Sequence, residues 1–370
     1  MDDPGSCIRT KALLMLREIR QGRRERPAWR RPLLILRDGH STSTFEGLTM
    51  LAFVKDAGYR IGEFEFNAGW LTNAEKSTRD VLATHYGDVA HTPEKLSDEI
   101  DLSHLRADVL RTFPGIASAS ETIKDLLETR YSALILKKAA WPAWTWTSSA
   151  ASCSCCALAL GWPTPTDRVN RQIIWDNKRD LPAGQVSTFS ENADEAKLHT
   201  DTQYFPNPER YTLLYVVRPA EDGGVSLIRD GHHIVNSLKS GSQGDWAFRH
   251  LSRTKLPFRI PTSYTKERRQ DVAEATFAPI FADKPLIRYR KDTLEAGLKA
   301  HPEYDTAENR LALYILENVI GNQEFTTTCR LDADDILLTN NHEGLHGRTE
   351  FSDHARHLIR IRISDQRYAS

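Results

Sequence analysis

His199 and Asp201 stand two positions apart in the segment 198–201, and together they suit metal binding. On an extended strand, side chains alternate between the two faces, so both side chains project from the same side and reach one ion. An imidazole and a carboxylate make up two-thirds of the 2-His-1-carboxylate triad, which holds non-heme Fe(II) and leaves three coordination positions open. The pair alone is a weak signal, because short H-x-D segments also occur in solvated surface turns.

A second group of candidate residues lies toward the C-terminus. His346, on a strand-like run, offers the distal histidine that completes such a triad. Arg356 and Arg360 follow on the next strand-like run, where a guanidinium can grip the far end of a dicarboxylate with two hydrogen bonds. Ser226, just after a Gly-Gly pair, supplies a hydroxyl that can hydrogen-bond the same carboxylate.

The same C-terminal region also contains a rival motif. His342-Glu343-x-x-His346 matches the zinc-protease signature HExxH, in which a helix must place both histidines on one face. Gly344 inside the motif opposes a helix by about 1 kcal/mol. Ser352 stands where a third histidine ligand is expected in one branch of these proteases. We therefore expect a strand here and keep a zinc hydrolase as an alternative of a different class.

The elements that must position these residues change character along the chain. β-rich runs dominate beyond about residue 160: Ile173–Trp175, Tyr211–Val217, Val225–Ile228, Ile336–Leu338 and Leu358–Ile363. The clearest helical segment among them is 307–320, which is followed by Gly321. Short strands with inserted helices and no βαβ alternation predict a mainly β fold with helical decorations, either a sandwich or a jelly roll.

The first 160 residues are predicted to be mostly helical. The segment 45–54 has apolar residues at helical spacing, and Ser118 with Glu121 forms the pattern of a capping box. A cysteine-rich stretch ends at Gly161 and is interpreted as a tightly packed helix rather than a soft-metal site, because paired Cys-x-x-Cys motifs are missing. Its cysteines are Cys153, Cys155 and Cys156.

Composition narrows the class of protein. The chain has 370 residues, 40% of them hydrophobic and 27% charged, with a formal net charge of −1, so it gives no electrostatic case for nucleic acid or an anionic membrane. The arginine-rich segment 17–31 is interpreted as a solvated helix face leading into a linker. No apolar run approaches the roughly 20 residues of a membrane span. Five cysteines are too few for a disulfide scaffold and predict a reducing, cytoplasmic location.

The ordered motifs resemble those of one enzyme family. H-T-D at 199–201, G-G-x-S at 223–226, N-x-x-x-L-H-G-R-T-x-F at 341–351 and R-x-L-x-R at 356–360 are similar to the Fe(II)/2-oxoglutarate dioxygenases of the taurine dioxygenase and clavaminate synthase type. The resemblance covers about 134–363. It implies a double-stranded β-helix, or jelly-roll, core.

The resemblance also assigns roles to individual residues. It implies that the metal ligands are His199, Asp201 and His346. It places the 2-oxoglutarate carboxylate against Ser226 and Arg356, with Arg360 close by. Which of the two arginines is the main partner of that carboxylate stays open.

The activity implied by the resemblance is a hydroxylation that uses Fe(II), 2-oxoglutarate and O2 and releases succinate and CO2. The expected substrate is a small polar or zwitterionic molecule such as an amino acid, with Arg288 and Arg348 as candidate substrate contacts. Asp201 favours hydroxylation, since related halogenases carry Gly or Ala at that position. Desaturation or cyclisation by the same radical chemistry, and a non-catalytic jelly-roll binding protein, remain open alternatives.

The expected organisation has two parts. Residues 1–130 form a mostly helical region packed on the core, without being an independent domain. Residues 131–370 form the core, with a helical insert at about 230–325. The expected partner is a small-molecule substrate, with neither nucleic acid nor membrane, and homo-oligomerisation is left open.

Overall fold

The computed structural model describes residues 44–45, 48–53, 61–66, 101–137, 146–165, 171–177, 193–260 and 274–367. The arginine-rich segment 17–31 lies outside the described residues.

Helices and strands alternate in blocks along this part of the chain. The α-helices are α1 (Leu102–Thr112), α2 (Pro114–Thr129), α3 (Trp146–Leu160), α4 (Gly231–Lys239), α5 (Ser242–Arg253), α6 (Lys291–Ala300) and α7 (Ala307–Ile320), with 3-10 turns at Pro302–Tyr304 and Gln323–Phe325. The strands are β1 (Thr44–Phe45), β2 (Leu48–Phe53), β3 (Ile61–Phe66), β4 (Ala133–Lys137), β5 (Trp162–Thr164), β6 (Trp175–Asn177), β7 (Ala196–His199), β8 (Tyr211–Arg218), β9 (Ser226–Asp230), β10 (Leu256–Arg259), β11 (Ala275–Ala278), β12 (Thr327–Cys329), β13 (Ile336–Asn340), β14 (Gly344–Arg348) and β15 (His357–Ser364).

The strands form a large sheet, a small sheet and a hairpin. The large sheet has the order β1-β2-β3-β4-β13-β8-β15-β5, and β6 also pairs with β15. The small sheet has the order β12-β9-β14-β7, and β10 pairs with β11. In the large sheet, β3 and β4 are parallel, whereas the pairs β4–β13, β13–β8 and β8–β15 are antiparallel. The predicted mainly β architecture with helical decorations is confirmed.

Strand β15 shows why the large sheet is buried on both faces. Side chains alternate along a strand, and its isoleucines at 359, 361 and 363 belong to the hydrophobic cluster that contains residues of α1, α2 and α3. Leu358 points to the other face and joins the cluster between the sheets. Arg360 and Arg362 share that inner face with Leu358, because they stand two and four positions along the strand.

The inner faces of the two sheets meet across a smaller apolar cluster. Ile135 and Leu337 of the large sheet pack there with Ile228 and Cys329 of the small sheet. The two sheets are therefore two layers, and the space beyond this cluster is lined by polar side chains.

Helices α4 to α7 and the hairpin of β10 and β11 lie between β9 and β12 along the chain. A helical insert was predicted at about 230–325. These helices bury a hydrophobic cluster of their own, which includes Leu238, Leu251, Leu298 and Leu316. Leu345 of β14 belongs to the same cluster, so the insert packs directly on the strand that carries His346. The predicted division at residue 130 is not tested by these contacts and stays a prediction.

Two local predictions are wrong. The segment 45–54 contains β2 rather than a helix, because pairing with β3 extends the large sheet and short apolar runs do not distinguish strand from helix by periodicity. Ser118 and Glu121 do not begin a helix, since α2 starts earlier, at Pro114, where the fixed φ of proline suits the first turn.

The cysteine-rich stretch is helical, as predicted. It forms the second half of α3, with its cysteines buried in the cluster against the large sheet. Burial raises the pKa of Cys156 to about 12, and Cys153 also has a pKa raised well above its usual value by burial and the neighbouring thiols. These thiols are packing residues. Among the described helices, none combines the length and the apolar character that crossing a bilayer requires.

Gly347 generates a prediction about how β7 and β14 are held together. A Cβ added at Gly347 would lie 2.6 Å from the carbonyl oxygen of Ala196 on β7. Gly347→Ala should push β7 away from β14 and lower the free energy of unfolding by about 1–3 kcal/mol. Urea unfolding measures this loss. Gly241→Ala is the control, because a Cβ at Gly241 meets nothing within 4 Å. Equal stability of the two variants would contradict the close approach.

Candidate metal centre

Two neighbouring strands of the small sheet bring a pair of histidines together. His199 is the last residue of β7, and His346 lies in the middle of β14 as its register partner. The centroids of the two imidazole rings are 4.6 Å apart. Register partners on paired strands point to the same face, so both rings face the space between the sheets.

Asp201 completes a cluster with these histidines. It lies in the turn that follows β7, not on the strand, yet it still reaches the same point. Its carboxylate oxygens are 3.7 Å from Nε2 of His199 and 3.8 Å from Nε2 of His346. One potential ligand atom from each of the three residues lies within 4.8 Å of the others, which places them around a single point.

The donor set fits a divalent metal ion. Nδ1 of His199 is 2.7 Å from the carbonyl oxygen of Lys197, and this bond requires the proton on Nδ1 and leaves the Nε2 lone pair facing Asp201. Oδ2 of Asp201 is buried and accepts no hydrogen bond within the described part of the chain. Two imidazole nitrogens and one carboxylate oxygen are the ligands of the 2-His-1-carboxylate site.

Nearby charges keep the ligands in their metal-binding forms. Burial alone would raise the pKa of Asp201, but Arg362 and Arg360, with the two histidines, hold this pKa well below its usual value. The guanidinium atoms closest to Oδ2 are Nε of Arg362 at 3.7 Å and Nη1 of Arg360 at 4.0 Å. Burial and the neighbouring His199 lower the pKa of His346 to about 3. The carboxylate is therefore ionised and this imidazole neutral, as coordination requires.

Asn341 fixes the backbone of Asp201. Its Oδ1 accepts a 2.7 Å hydrogen bond from the Asp201 amide, and its Nδ2 donates to the carbonyl oxygens of Asp201 and Glu209. The side chain of Asn341 thus takes the place of a strand partner for a residue that has left the sheet. The backbone of Tyr289 holds Thr200. The Thr200 amide donates to the carbonyl oxygen of Tyr289, and the Tyr289 amide donates to Oγ1 of Thr200.

Arg288 lies behind the loop that follows Asp201. Its guanidinium donates to the carbonyl oxygens of Gln203, Phe205 and Pro206, and burial lowers its pKa to about 10. These contacts shape the loop from within. The predicted contact of Arg288 with substrate stays a prediction.

A second group of predicted residues forms an electropositive pocket. The guanidinium carbons of Arg348 and Arg356 lie 4.4 and 4.9 Å from the ring centroid of Phe351. Ser226 is the register partner of Arg348, and the position of a Cβ on Gly224 would be 3.4 Å from Nε of Arg356. Burial lowers the pKa of Arg356 to about 9, helped by Arg348, and burial lowers that of Arg348 to about 10. A buried and a half-buried guanidinium beside a hydroxyl favour an anionic ligand.

The cluster of His199, Asp201 and His346, called the metal cluster below, and this pocket lie on the same face of β14. His346 and Arg348 stand two positions apart on the strand, a distance of about 6.8 Å. A short dicarboxylate can therefore reach from one to the other. Arg360 is placed differently from Arg356, since it lies beside Asp201 and not in the pocket.

The HExxH motif does not form a helix. His342 lies in a turn, with Nε2 2.9 Å from the carbonyl oxygen of Pro208, and the strand β14 begins at Gly344. Glu343 contacts Nε2 of His232 at 3.1 Å instead of the metal cluster. Only His346 of the motif joins the cluster, so the geometry that a zinc protease needs is missing.

Two residues of the site were not predicted from the sequence. Arg362 could have been found, because the arginines at 360 and 362 alternate with isoleucines and so share the inner face. Asn341 begins the motif at 341–351, but that motif assigned it no role. Its role depends on the path of the chain around Asp201, 140 residues away.

Comparisons with known proteins agree with this geometry. The sequence model described as the taurine catabolism dioxygenase TauD, TfdA family matches residues 116–362. The dioxygenase str8 of Strobilurus tenacellus is 24% identical over 170 residues, which cover 42% of this chain and 35% of that protein. The match thus spans about a third of the length of this curated relative.

Solved structures share the fold at low sequence identity. An asparagine oxygenase in complex with Fe(II), 2S,3S-3-hydroxyasparagine and succinate has a TM-score of 0.61 and 14% identity, over 82% of this chain and 93% of that one. The non-heme iron oxygenase OrfP in complex with Fe and alpha-ketoglutaric acid has a TM-score of 0.57 and 15% identity, over 82% and 94%.

Asn341→Ala should loosen the metal cluster without removing a ligand. The buried peptide groups of Asp201 would lose their partner, which lowers the free energy of unfolding by about 1–3 kcal/mol. We expect weaker Mn(II) binding as well, measured by titration calorimetry. Asn340→Ala is the matched control, since buried Asn340 bonds the carbonyl of Leu127 and the amide of His342 rather than Asp201. An equal loss of Mn(II) affinity in both variants would show that Asn341 has no special role.

Proposed function

The chain belongs to the TauD, TfdA family of dioxygenases, whose members use non-heme iron and 2-oxoglutarate, and on this premise we propose that it oxidises a C–H bond of a small polar or zwitterionic molecule. The observation that carries the proposal is the cluster of His199, Asp201 and His346 around one point. These three residues would hold Fe(II). When bound, Fe(II) with 2-oxoglutarate and O2 supplies the oxidising power that converts C–H to C–OH, with release of succinate and CO2.

The protein contributes orientation and protection of the reacting groups. The two histidines and Asp201 occupy one side of the metal point, which leaves the other side to cosubstrate and substrate. The insert helices pack against β14, and residues 201–204 at the start of the following loop are buried, which limits the contact of Asp201 with bulk water.

The electropositive pocket supports a place for the far carboxylate of 2-oxoglutarate. Ser226 and Arg356 would hydrogen-bond it, as predicted, and Arg348 would add a second guanidinium beside the same ring of Phe351. The carboxylate would then fix the direction of the molecule toward His346 and the metal. Arg348 was predicted to contact substrate, but its place beside Arg356 supports this role better.

The substrate is proposed to be an amino acid or a derivative of one. The asparagine oxygenase neighbour holds 3-hydroxyasparagine, and OrfP is known in complex with (3S)-hydroxy-L-Arg, so amino acids fit the site of this fold in two relatives. We further propose that the two facing sheets form the double-stranded β-helix of the family. Asp201 occupies the carboxylate position, which favours hydroxylation over halogenation, and desaturation or cyclisation by the same radical chemistry are the alternative outcomes.

The iron and 2-oxoglutarate dependence is tested by succinate release. Purified protein with Fe(II), ascorbate, O2 and 2-oxoglutarate should release succinate when a panel of L-amino acids, including asparagine and arginine, is added. His199→Ala, Asp201→Ala and His346→Ala should each lower the rate at least about 100-fold by removing a metal ligand. His342→Gln is the control and should keep the rate.

The outcomes separate the alternatives. Loss of activity in His342→Gln together with zinc-dependent peptide hydrolysis would support the hydrolase. Binding of Fe(II) and 2-oxoglutarate without turnover of any panel member would favour a binding protein. Unchanged Fe(II) affinity in both Asp201→Ala and His346→Ala would refute the ligand assignment.

The cosubstrate pocket gives a second test. Arg356→Met removes a charge-assisted hydrogen bond worth about 1.5–3 kcal/mol, so the KM for 2-oxoglutarate should rise about 10- to 100-fold. Arg249→Met is the control, because Arg249 is an exposed residue of α5 that pairs with Asp245 of the same helix. A larger rise in Arg360→Met than in Arg356→Met would move the clamp to Arg360.

A further inference from the structure

We propose that Arg362, Thr212 and Thr339 form a carboxylate-binding subsite beside the metal cluster, so that the substrate is an acid bound through its carboxylate. This inference rests on the proposed function and specifies which chemical group of the substrate is recognised. The pocket around Arg356 is separate, since Arg356 stacks on Phe351 and not on this row.

The three side chains form one row across the large sheet. Arg362 of β15 is the register partner of Thr212 on β8, and Thr212 is the register partner of Thr339 on β13. Their immediate neighbours Ile361, Leu213 and Leu338 belong to the cluster on the outer face. Since side chains alternate, the row faces inward, toward the small sheet and the metal cluster. Register partners on one face have Cβ atoms about 4.5–5.5 Å apart, so a single small group can touch all three.

The row lies next to the metal cluster. Nε of Arg362 is 3.7 Å from Oδ2 of Asp201, the aspartate that would coordinate iron. A group bound to the row therefore sits close to the reacting centre. The next row along the same face is Arg360, Leu214 and Leu337, in which the positions of both threonines are taken by leucines. The hydroxyls are thus confined to the row nearest Asp201.

The two hydroxyls are buried and have no hydrogen-bond partner in the described part of the chain. Thr212 is 1% exposed and Thr339 is 4% exposed, and neither Oγ1 has a hydrogen-bond partner within the described residues. Leaving a buried hydroxyl unpaired costs about 1–3 kcal/mol, so buried polar groups nearly always have a partner. At the other end of the row, Thr164 shows the ordinary case, because its Oγ1 donates to Glu209 at 2.8 Å.

With iron bound, the charge around the row favours an anion. Arg362 and Arg360 both lie within 4.0 Å of the carboxylate of Asp201, and Glu209, which accepts hydrogen bonds from Thr164 and Thr202, is a second carboxylate near the row. Iron would therefore supply the excess of positive charge. Two hydroxyl donors beside a guanidinium match the two oxygens of a carboxylate.

Acetate is the probe for the subsite, with acetamide as its neutral analogue. The protein is loaded with Fe(II) and saturating 2-oxoglutarate without O2, so that the pocket at Arg356 is already filled. Thermal unfolding is then followed as either compound is added at constant ionic strength. We expect acetate, and not acetamide, to raise Tm in the wild type, because a ligand that binds only the folded state stabilises it.

The double variant Thr212→Val, Thr339→Val tests the row itself. Valine keeps the shape of threonine without the hydroxyl, and no hydrogen bond between described residues is lost. We expect an unchanged or higher starting Tm, the same Tm increase with 2-oxoglutarate, and loss of most of the acetate response. Thr164→Val should instead lower the starting Tm by removing the bond to Glu209. Exposed Thr328 provides Thr328→Val, which should keep the acetate response.

Each other outcome overturns a defined part of the proposal. An acetate response equal to that of the wild type would show that the hydroxyls bind no carboxylate. A lower starting Tm in the double variant would show that they have a structural partner. Loss of the 2-oxoglutarate response in the double variant would assign the row to the cosubstrate. If 2-oxoglutarate stabilises neither protein, the proposed function fails, whereas failure of acetate alone refutes only the subsite.

Discussion

The site depends on the register of one strand pair, in which His346 of β14 stands opposite His199 of β7. Because side chains alternate along a strand, a slip by one residue would turn His346 away from the space between the sheets and bring Leu345 or Gly347 in its place. Several contacts hold the register. β14 is also paired with β9 along its whole length, Leu345 is buried in the cluster of the insert, and Gly347 allows β7 to approach closely. Candidate metal ligands from distant parts of the chain thus meet through backbone pairing.

The two faces of the large sheet have different roles, since one packs against helices and the other borders the metal site. The isoleucines of β15 pack against α1 to α3, whereas Arg360 and Arg362 point to the opposite face and border Asp201. Burying two guanidiniums would be unfavourable without anionic partners, and Asp201 supplies one charge. Arg348 and Arg356 add a second pair of guanidiniums beside Phe351.

The sequence predicted several strands and the three candidate metal residues that the fold brings together, since each carries a local signal. β8, β9, β13 and β15 are short β-rich runs, and H-T-D with the distal histidine follows a recognisable order. The strand β2 was mistaken for a helix because only its pairing with β3 decides between the two. The roles of Asn341 and of the row at Arg362 depend on which strands become neighbours. Neighbour relations between distant segments leave no periodic pattern in one sequence.

Arg288 connects the insert to the site in a way that limits how the protein can diverge. It lies in the segment between β11 and α6, yet its guanidinium holds three carbonyls of the loop after Asp201, and Tyr289 beside it pairs with Thr200. The helices around it can change length at their exposed ends. The short stretch at 288–289 must keep its backbone path, because its hydrogen bonds hold the segment around Asp201, the proposed iron ligand. Natural variation in the insert should therefore accumulate on its outer helices and spare residues 288–289.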